Sequence, residues 1–270
     1  MNANAIATSA ATSAPNPTQQ SRRLPLSAPL FASIALIALI ASAVAIAALA
    51  QWTDIDLWLA DLYYDPVRRV FPWDNTWFAR DFMHGYLKQV IVWFGFLTIA
   101  AMLIDLVYPL FRKSPLRRLQ WRFVALASIL EPLLVRTLKA SSNLHCPVGI
   151  DLYGGRAPLL RLFDAVPLDW HAGHCFPAGH ASAGFAFFGG YFVLRDAAPR
   201  AARIWLVATL VVGLVLGISQ QARGAHFMSH TLWTAWLCWT IAWLCDGAAT
   251  HLRLRYQAHP ATPEARHVAS

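Results

Sequence analysis

Residues 204–222 read IWLVATLVVGLVLGISQQA and residues 227–245 read FMSHTLWTAWLCWTIAWLC, and neither stretch contains Asp, Glu, Lys or Arg. Each is long enough for the helix of about 20 residues that crosses the hydrocarbon core of a bilayer. Because hydrocarbon offers no partner for backbone N–H and C=O groups, uninterrupted apolar runs of this length favour helices. The two stretches therefore predict consecutive membrane-spanning helices joined by a short turn.

Four other apolar runs precede this pair and bring the predicted number of transmembrane helices to six. The predicted fold class is all-α, an integral membrane bundle, because the runs lack the ten-residue alternation of a transmembrane barrel. The flanking residues are predicted to be cytoplasmic tails, and the polar N-terminal one is predicted to be disordered. The four runs are 24–53, 89–111, 123–138 and 176–194, the membrane domain is 24–246, and the tails are 1–23 and 247–270.

The composition indicates a membrane protein and excludes several other classes. Of the 270 residues, 57% are hydrophobic and 13% are charged, against roughly 25% charged residues in soluble domains. The mean hydropathy of +0.43 excludes a disordered chain. The net charge of +8 comes from short Lys and Arg clusters between the apolar runs, which is typical of membrane topology and not of nucleic-acid binding.

The basic clusters also predict the orientation of the bundle. They precede the first run and follow the second, fourth and sixth, so six spans place all of them on one side, which the positive-inside rule assigns to the cytoplasm. The connection 139–175 and the turn 219–226 then face outward. Residues 52–82 mix Trp with Asp and Arg, which is typical of a segment at the headgroup level. A cleaved secretory signal is the competing interpretation of the first run, which is longer than a signal core.

Polar side chains that are costly in a membrane collect at the outer end of the predicted bundle. Lys139 ends the third run, His180 begins the fourth, and Arg223, His226 and His230 lie where the fifth ends and the sixth begins. His226 and His230 are four residues apart, so they share one helix face if the sixth helix has begun there. Ionisable residues at membrane depth mark functional sites. Three separate parts of the chain are thus predicted to form one site.

The start of the fourth run has the features of an anion site. Pro177 suits the first turn of a helix and Gly179 permits close backbone approach, so the amides around 178–181 are predicted to bind an anion. With Lys139 and Arg223 nearby, this anion is predicted to be a phosphate. The imidazoles then supply a nucleophile and a proton donor.

Three segments carry a family resemblance: KASSNLHCP at 139–147, FPAGHAS at 176–182 and SQQARGAHFMSH at 219–230. They resemble, in order and in separation, the three motifs of the type 2 phosphatidic acid phosphatase and vanadium haloperoxidase superfamily. The resemblance covers about residues 85–246. It implies that His226 attacks phosphorus to form a phosphohistidine, that His180 protonates the leaving oxygen, and that Lys139 holds the phosphate.

Several positions depart from the pattern of that family. Cys146 and Gln220 stand where the first and third motifs usually have Arg, and Arg223 lies about one helical turn further on, where it is predicted to reach the same phosphate. His230 replaces the Asp that orients the nucleophile and cannot supply its fixed negative charge. Ala178 replaces a Ser, which removes a hydroxyl donor and keeps the backbone N–H.

Other residues are weaker candidates for the missing groups. Asp151 in the outer loop is a candidate for the orienting acid, and Arg156 is a candidate for a second arginine. Glu131 and Arg136 lie in or at the end of the third run, where they are expected either to pair as structural ions or to support the site.

Two cysteines of the outer loop are predicted to form a disulfide, Cys146 with Cys175, in an oxidising compartment. The bond would join the first motif to the second. The competing hypotheses for this region are a zinc site made by His226 and His230 with His174 or Cys175, and purely structural histidines. Zinc is disfavoured because the nearby Lys and Arg side chains oppose a cation, so no metal and no cofactor are expected.

The sequence therefore predicts a multi-pass protein of a bacterial inner membrane that hydrolyses a lipid phosphate or diphosphate at the periplasmic face. Candidate substrates are isoprenyl diphosphates, glycerolipid phosphates and lipid A phosphates. The expected partners are this substrate and membrane lipids, with no nucleic acid and with the oligomeric state left open. The alternatives are a lipid phosphotransferase on the same scaffold, a non-enzymatic protein with a decayed site and, least favoured, a haloperoxidase.

Overall fold

The computed structural model of the protein describes residues 27–108 and 115–258, and this described part is helical with no β-strand. The predicted disordered tail, 1–23, and the last part of the predicted C-terminal tail lie outside the described residues. The helices are α1 Ser27–Trp52, α2 Ile55–Asp61, a π-helical segment Phe78–Leu87 that runs into α3 Lys88–Val107, α4 Pro115–Ala140, α5 Gly179–Phe185, α6 Gly189–Leu194, α7 Pro199–Ala222 and α8 Met228–Ala258.

Most of the predicted runs correspond to one helix each. Within the described residues, three helices are long and apolar enough to cross a membrane: Ala32–Trp52, Phe78–Val107 and Pro199–Ala222. Helix α8 continues without a break to Ala258, so the first part of the predicted cytoplasmic tail, 247–258, is helical, and its cytoplasmic location stays a prediction. The helical period of the sixth run simply extends into its polar continuation.

The predicted fourth run, 176–194, is divided into two short helices, α5 and α6, separated by a turn. At this turn the indole Nε1 of Trp205 in α7 donates a hydrogen bond of 2.7 Å to the Phe187 carbonyl. Gly190 makes room for that indole, since a Cβ there would lie 2.3 Å from Trp205 Nε1. The Phe187 carbonyl, which an uninterrupted α-helix would pair with the Tyr191 N–H, accepts the Gly190 N–H at 3.1 Å together with this indole, while the Tyr191 N–H donates to the Phe188 carbonyl at 3.0 Å.

The chain falls into two compact units, residues 1–38 and 39–270. The described part of the first unit is the beginning of α1. In the second unit α4 packs on α8, and α5 packs against both α7 and α8. Gly184 and Gly213 let α5 and α7 approach closely, because a Cβ on Gly184 would lie 2.6 Å from Gly213 Cα. Phe185, Phe188 and Cys238 are among the buried residues of this core.

A second buried cluster joins α2 to the long connection between α4 and α5. It contains Ala60, Phe71, Ile150, Tyr153 and Phe227. The Tyr153 hydroxyl donates a hydrogen bond of 2.9 Å to the Asp61 carboxylate. The segment 52–82, predicted at the headgroup level, therefore packs on the connection that carries the first two sequence motifs.

Candidate active site

The three sequence motifs meet at one cavity of about 650 Å³. Five of the predicted site residues line it: Lys139 from the end of α4, Gly179 and His180 from α5, and Arg223 and His226 from the turn between α7 and α8. Two others, Ala178 and His230, are buried behind this lining. The tertiary structure thus brings together residues that are up to 87 positions apart in the chain.

A glycine-dependent helix end positions Arg223 and His226. Gly224 has φ +66°, the Gly224 N–H donates to the Gln221 carbonyl at 2.9 Å, and the Ala225 N–H donates to the Gln220 carbonyl at 2.8 Å. This pair of bonds is the Schellman motif, which ends a helix at a residue in the left-handed conformation. It turns the chain so that Arg223 caps α7 and His226 lies in the turn before α8.

Two side chains contact the Nδ1 edge of the His226 imidazole. Its Nδ1 lies 3.5 Å from Nδ1 of His230 and 3.5 Å from Sγ of Cys175. The pKa of His226 lies well below 6.5. Burial is the main cause, and the charges of His230, Lys139 and His180 act in the same direction. His226 is therefore a neutral imidazole at neutral pH, and its Nε2 is the nitrogen that remains for chemistry in the cavity.

A carboxylate from α2 fixes the start of the helix that carries His230. Asp56 Oδ1 accepts a hydrogen bond of 2.9 Å from the Ser229 backbone N–H. This N–H is one of the otherwise unpaired donors in the first turn of α8. Burial raises the pKa of the Asp56 carboxyl, although its hydrogen bonds to Ser229 and Met228 oppose that effect. Sequence reasoning missed Asp56, because α2 contacts α8 only through the tertiary fold.

The His180 ring is held at one edge by a hydrogen bond and on one face by a second imidazole. Its Nε2 donates a hydrogen bond of 3.2 Å to the Met83 carbonyl, and its ring stacks on that of His84 with centroids 4.6 Å apart. The other nitrogen, Nδ1, is buried without a partner among the described residues. Met83 and His84 belong to the π-helical segment, a rare conformation that occurs often at functional sites.

The predicted anion site around residues 178–181 needs a correction at Ala178. Its N–H donates to the His230 carbonyl at 3.3 Å, so this amide is already used and does not face the cavity. The helix also begins at Gly179 and not at Pro177. Gly179 does lie at the site, because a Cβ built there would be 3.7 Å from Lys139 Cδ. The lysine stem therefore runs past the glycine of the second motif.

The guanidinium of Arg223 faces the cavity while bonded to two neighbours. Its Nε and Nη2 donate to Asp74 Oδ1 at 3.1 and 2.9 Å, and its Nη1 donates to Gln220 Oε1 at 3.2 Å. A guanidinium has five N–H donors, so both terminal nitrogens retain one for a ligand. Gln220 thus orients the arginine that stands one turn from the family position.

The structure contains the Cys146–Cys175 disulfide, which closes a separation of 29 residues. With His226 these cysteines form the one group of three potential metal ligands that the described chain brings within 4.8 Å. Both sulfurs are bonded to each other, so neither offers the thiolate that zinc requires. The zinc site proposed through Cys175 therefore does not fit the residues as they stand.

Two candidates for the missing groups lie away from the cavity. Asp151 is exposed, and its carboxylate accepts a hydrogen bond of 2.8 Å from the N–H of the next residue, Leu152. It therefore does not orient His226. Arg156 is also exposed and is absent from the cavity lining. Both belong to the outer connection, whose path the sequence could not predict.

The pairing considered for Glu131 and Arg136 does not occur among the described residues. Arg136 lines the cavity, whereas Glu131 is fully buried beside the Cys238 thiol of α8. These two side chains project from different faces of α4, because five residues correspond to 500° around a helix.

Sequence reasoning missed the cavity residues that precede the family motifs. His84 and Lys88 begin a stripe that continues at the three- and four-residue spacing of a helix, which we call the α3 stripe. The helical spacing of these residues is visible in the sequence, but the stripe begins directly after the Trp and charged residues of 52–82, which are typical of an interfacial segment. The members of the α3 stripe are His84, Lys88, Ile91, Val92, Gly95, Phe96 and Ile99.

The fold and site define a helical protein with membrane-spanning candidates and a cavity of imidazoles and cations suited to a phosphate. The family model of the PAP2 superfamily matches residues 120–250, and this match supports membership of the type 2 phosphatidic acid phosphatase superfamily. No curated protein and no solved structure matches the chain. Members of this superfamily are generally phosphatases, which supports, in general terms, an enzyme that hydrolyses phosphoric esters.

Proposed function

We propose that the protein hydrolyses a lipid phosphate or diphosphate. The observation that carries this proposal is the change of character along the cavity. At one end it is lined by His180, His226 and Lys139, and away from that end the α3 stripe becomes apolar. From Lys88 to Ile99 the helix rises about 16 Å, at roughly 1.5 Å per residue. A charged head attached to an apolar chain fits such a cavity.

The first chemical step of the proposed mechanism is attack by His226 on phosphorus. A bond forms between Nε2 and phosphorus while the bond from phosphorus to the lipid oxygen breaks. The Nδ1 proton of His226 is directed at His230 Nδ1, 3.5 Å away, so the positive charge that develops on the ring is shared with a second imidazole. His230 is thus proposed to orient the nucleophile in place of an acid.

The leaving oxygen receives its proton from His180. Because Nε2 donates to the Met83 carbonyl, transfer from Nδ1 requires the imidazolium form of His180, which becomes the neutral imidazole as the leaving oxygen is protonated. Water then attacks the phosphohistidine, returns a proton to His180 and releases inorganic phosphate. Lys139, the free N–H groups of Arg223 and the backbone near Gly179 are proposed to stabilise charge on the phosphoryl oxygens.

We further propose that six transmembrane helices hold this site at the periplasmic face of a bacterial inner membrane. The three apolar helices in the described chain support a membrane location. The helices α4 and α8 and the pair α5–α6 occupy the three remaining predicted runs. The basic clusters between the runs support cytoplasmic termini.

The experiment that tests the function is release of inorganic phosphate from a panel of lipids by the purified protein. We expect release from a phosphatidate or an isoprenyl diphosphate in mixed micelles, and none from a His226→Ala variant. Transfer of the phosphoryl group to a second lipid without free phosphate would instead identify a phosphotransferase. Absence of both products from every lipid would indicate a decayed site.

A further inference from the structure

The cavity carries more positive charge than its neighbours neutralise. Four cationic side chains line it, and no Asp or Glu stands among its described lining residues. Arg223 is paired with Asp74, but the other three form no ion pair with a carboxylate in the described chain. These three are Lys88, Arg136 and Lys139.

Lys88 is close enough to the predicted site for its charge to act on several members. Its positive charge repels that of Lys139. The same charge disfavours protonation of the imidazoles of His84 and His180. Two ammonium groups that face one cavity repel each other. An anion between them offsets this repulsion, because it attracts both groups. The helices α3 and α4, which carry these lysines, pack against each other. The arrangement therefore suits an anion that contacts both helices.

We propose that Lys88 is a substrate-binding residue whose ammonium contacts the phosphate group from α3, opposite Lys139 of α4. Lys88 lies outside the segment 120–250 that matches the family, so the site is completed by a helix that the family model does not include. The inference rests on the proposed phosphate site and not on which lipid carries the phosphate.

Binding of inorganic phosphate to the full-length protein in detergent tests this inference without any turnover. We expect Lys88→Met to raise the Kd for phosphate about tenfold, a change of ~1.4 kcal/mol. Lys88→Arg keeps the positive charge and is expected to stay within about threefold of wild type. Arg80 is a matched control, because it is an exposed cation of the π-helical segment that runs into α3, bonds to Asn75 and is absent from the cavity lining. Arg80→Met is expected to bind phosphate as wild type does.

A double variant separates a local contact from the total charge of the helix. Exchange of the two neighbours, Lys88→Gln with Gln89→Lys, keeps the composition and the net charge but moves the cation by about 100° around the helix. We expect it to lose affinity as Lys88→Met does, with an unchanged thermal unfolding temperature. If Lys88→Met does not fold, the exchange variant and Lys88→Gln serve the same comparison.

Wild-type affinity in Lys88→Met, or in the exchange variant, would overturn the role of Lys88. The outcome for the proposed function is read separately. A wild-type protein that binds phosphate through Lys88 but releases none from any lipid would keep this inference and remove the lipid substrate. A wild-type protein that binds no inorganic phosphate would overturn this inference, and phosphate release from the lipid panel would then decide the proposed function on its own.

Discussion

Arg223 and Asp74 form a salt bridge in which both Nε and Nη2 of the guanidinium donate to one carboxylate oxygen, at 3.1 and 2.9 Å. Arg223 belongs to the third sequence motif, whereas Asp74 comes from the connection before the π-helical segment. The bridge therefore fixes the direction of the arginine from outside the family segment. This relationship makes Asp74 a positioning residue for a group that is proposed to bind phosphate.

Asp74→Asn is expected to lower kcat/KM for a lipid phosphate about tenfold, mainly through KM, because the guanidinium loses the charged partner that orients it. Steady-state kinetics checks this variant. Asp81→Asn, which changes an exposed acid of the π-helical segment, is the control. Equal kinetics in Asp74→Asn and Asp81→Asn would show that the bridge does not serve the site.

Arg223→Lys is expected to impair turnover as well, since an ammonium does not reproduce the planar fork of donors. The same steady-state kinetics measures this effect, and wild-type rates in Arg223→Lys would remove Arg223 from the site.

The three histidines are expected to differ in their effects on catalysis. His226→Ala should abolish turnover and leave no covalent phosphate. His180→Ala should retain binding but slow leaving-group departure by about 10² to 10⁴, the usual range for a lost general acid. His230→Ala should be milder, because a neutral imidazole orients the nucleophile less strongly than a carboxylate does.

Labelled phosphate trapped under neutral or alkaline quenching identifies the nucleophile. We expect the label on the peptide that contains His226 and its loss in His226→Ala. Label on His230 would reverse the two roles.

The acid limb of the pH–rate profile is expected to lie well below pH 6.5. His226 must be neutral to attack, and burial together with the charges of His230 and Lys139 lowers its pKa. The reactive form of the free enzyme is therefore lost only as the pH falls past this lowered value. The profile of kcat/KM reports this group. An acid limb at or above pH 6.5 would contradict the assignment of His226 as a buried nucleophile.

Loss of the Cys146–Cys175 disulfide is expected to destabilise the protein by roughly 3 to 4 kcal/mol, in the chain-entropy model for a closed loop of about 30 residues. The paired change Cys146→Ser with Cys175→Ser, followed by thermal unfolding, measures the effect. Cys245→Ser removes a free cysteine and is the control. Mass spectrometry of unreduced wild-type protein that finds both thiols alkylatable would show that the bond does not form.

Filling the apolar part of the cavity is expected to select against long lipid chains. A Cβ on Gly95 would make an ordinary contact, 3.9 Å from Phe187 Cζ, so Gly95→Ala should be tolerated. Gly95→Leu should project into the cavity and reduce hydrolysis of a long-chain phosphatidate about tenfold, with little change for a short-chain analogue. Val90→Leu, at an exposed position of the same helix, is the control. An equal loss on both substrates would place the lipid chain elsewhere.

The positions of the long helices, and the histidines that meet at the cavity, could be predicted from the sequence. The charge-free run 204–222 lies within α7, and all of 227–245 except its first residue lies within α8. In an apolar setting the backbone N–H and C=O groups must pair within the segment, and a helix pairs them. The common helix face predicted for His226 and His230 required the sixth helix to have begun at His226, but α8 begins at Met228, so His226 lies in the turn before it, and it is this turn that brings the two Nδ1 atoms to 3.5 Å. Such features depend on contacts within about one helical turn.

The partners of these residues were decided by the tertiary structure alone. Asp74 reaches Arg223 across 149 positions, and Met83 accepts the hydrogen bond of His180 across 97. Neither separation has a period or a local composition that a single sequence could reveal. The turn between α5 and α6 likewise receives a hydrogen bond from another helix, since the Trp205 indole of α7 donates to the Phe187 carbonyl. Sequence thus determined which side chains have the chemistry, whereas packing of distant helices determined which of them meet, because long-range contacts depend on the whole set of buried surfaces.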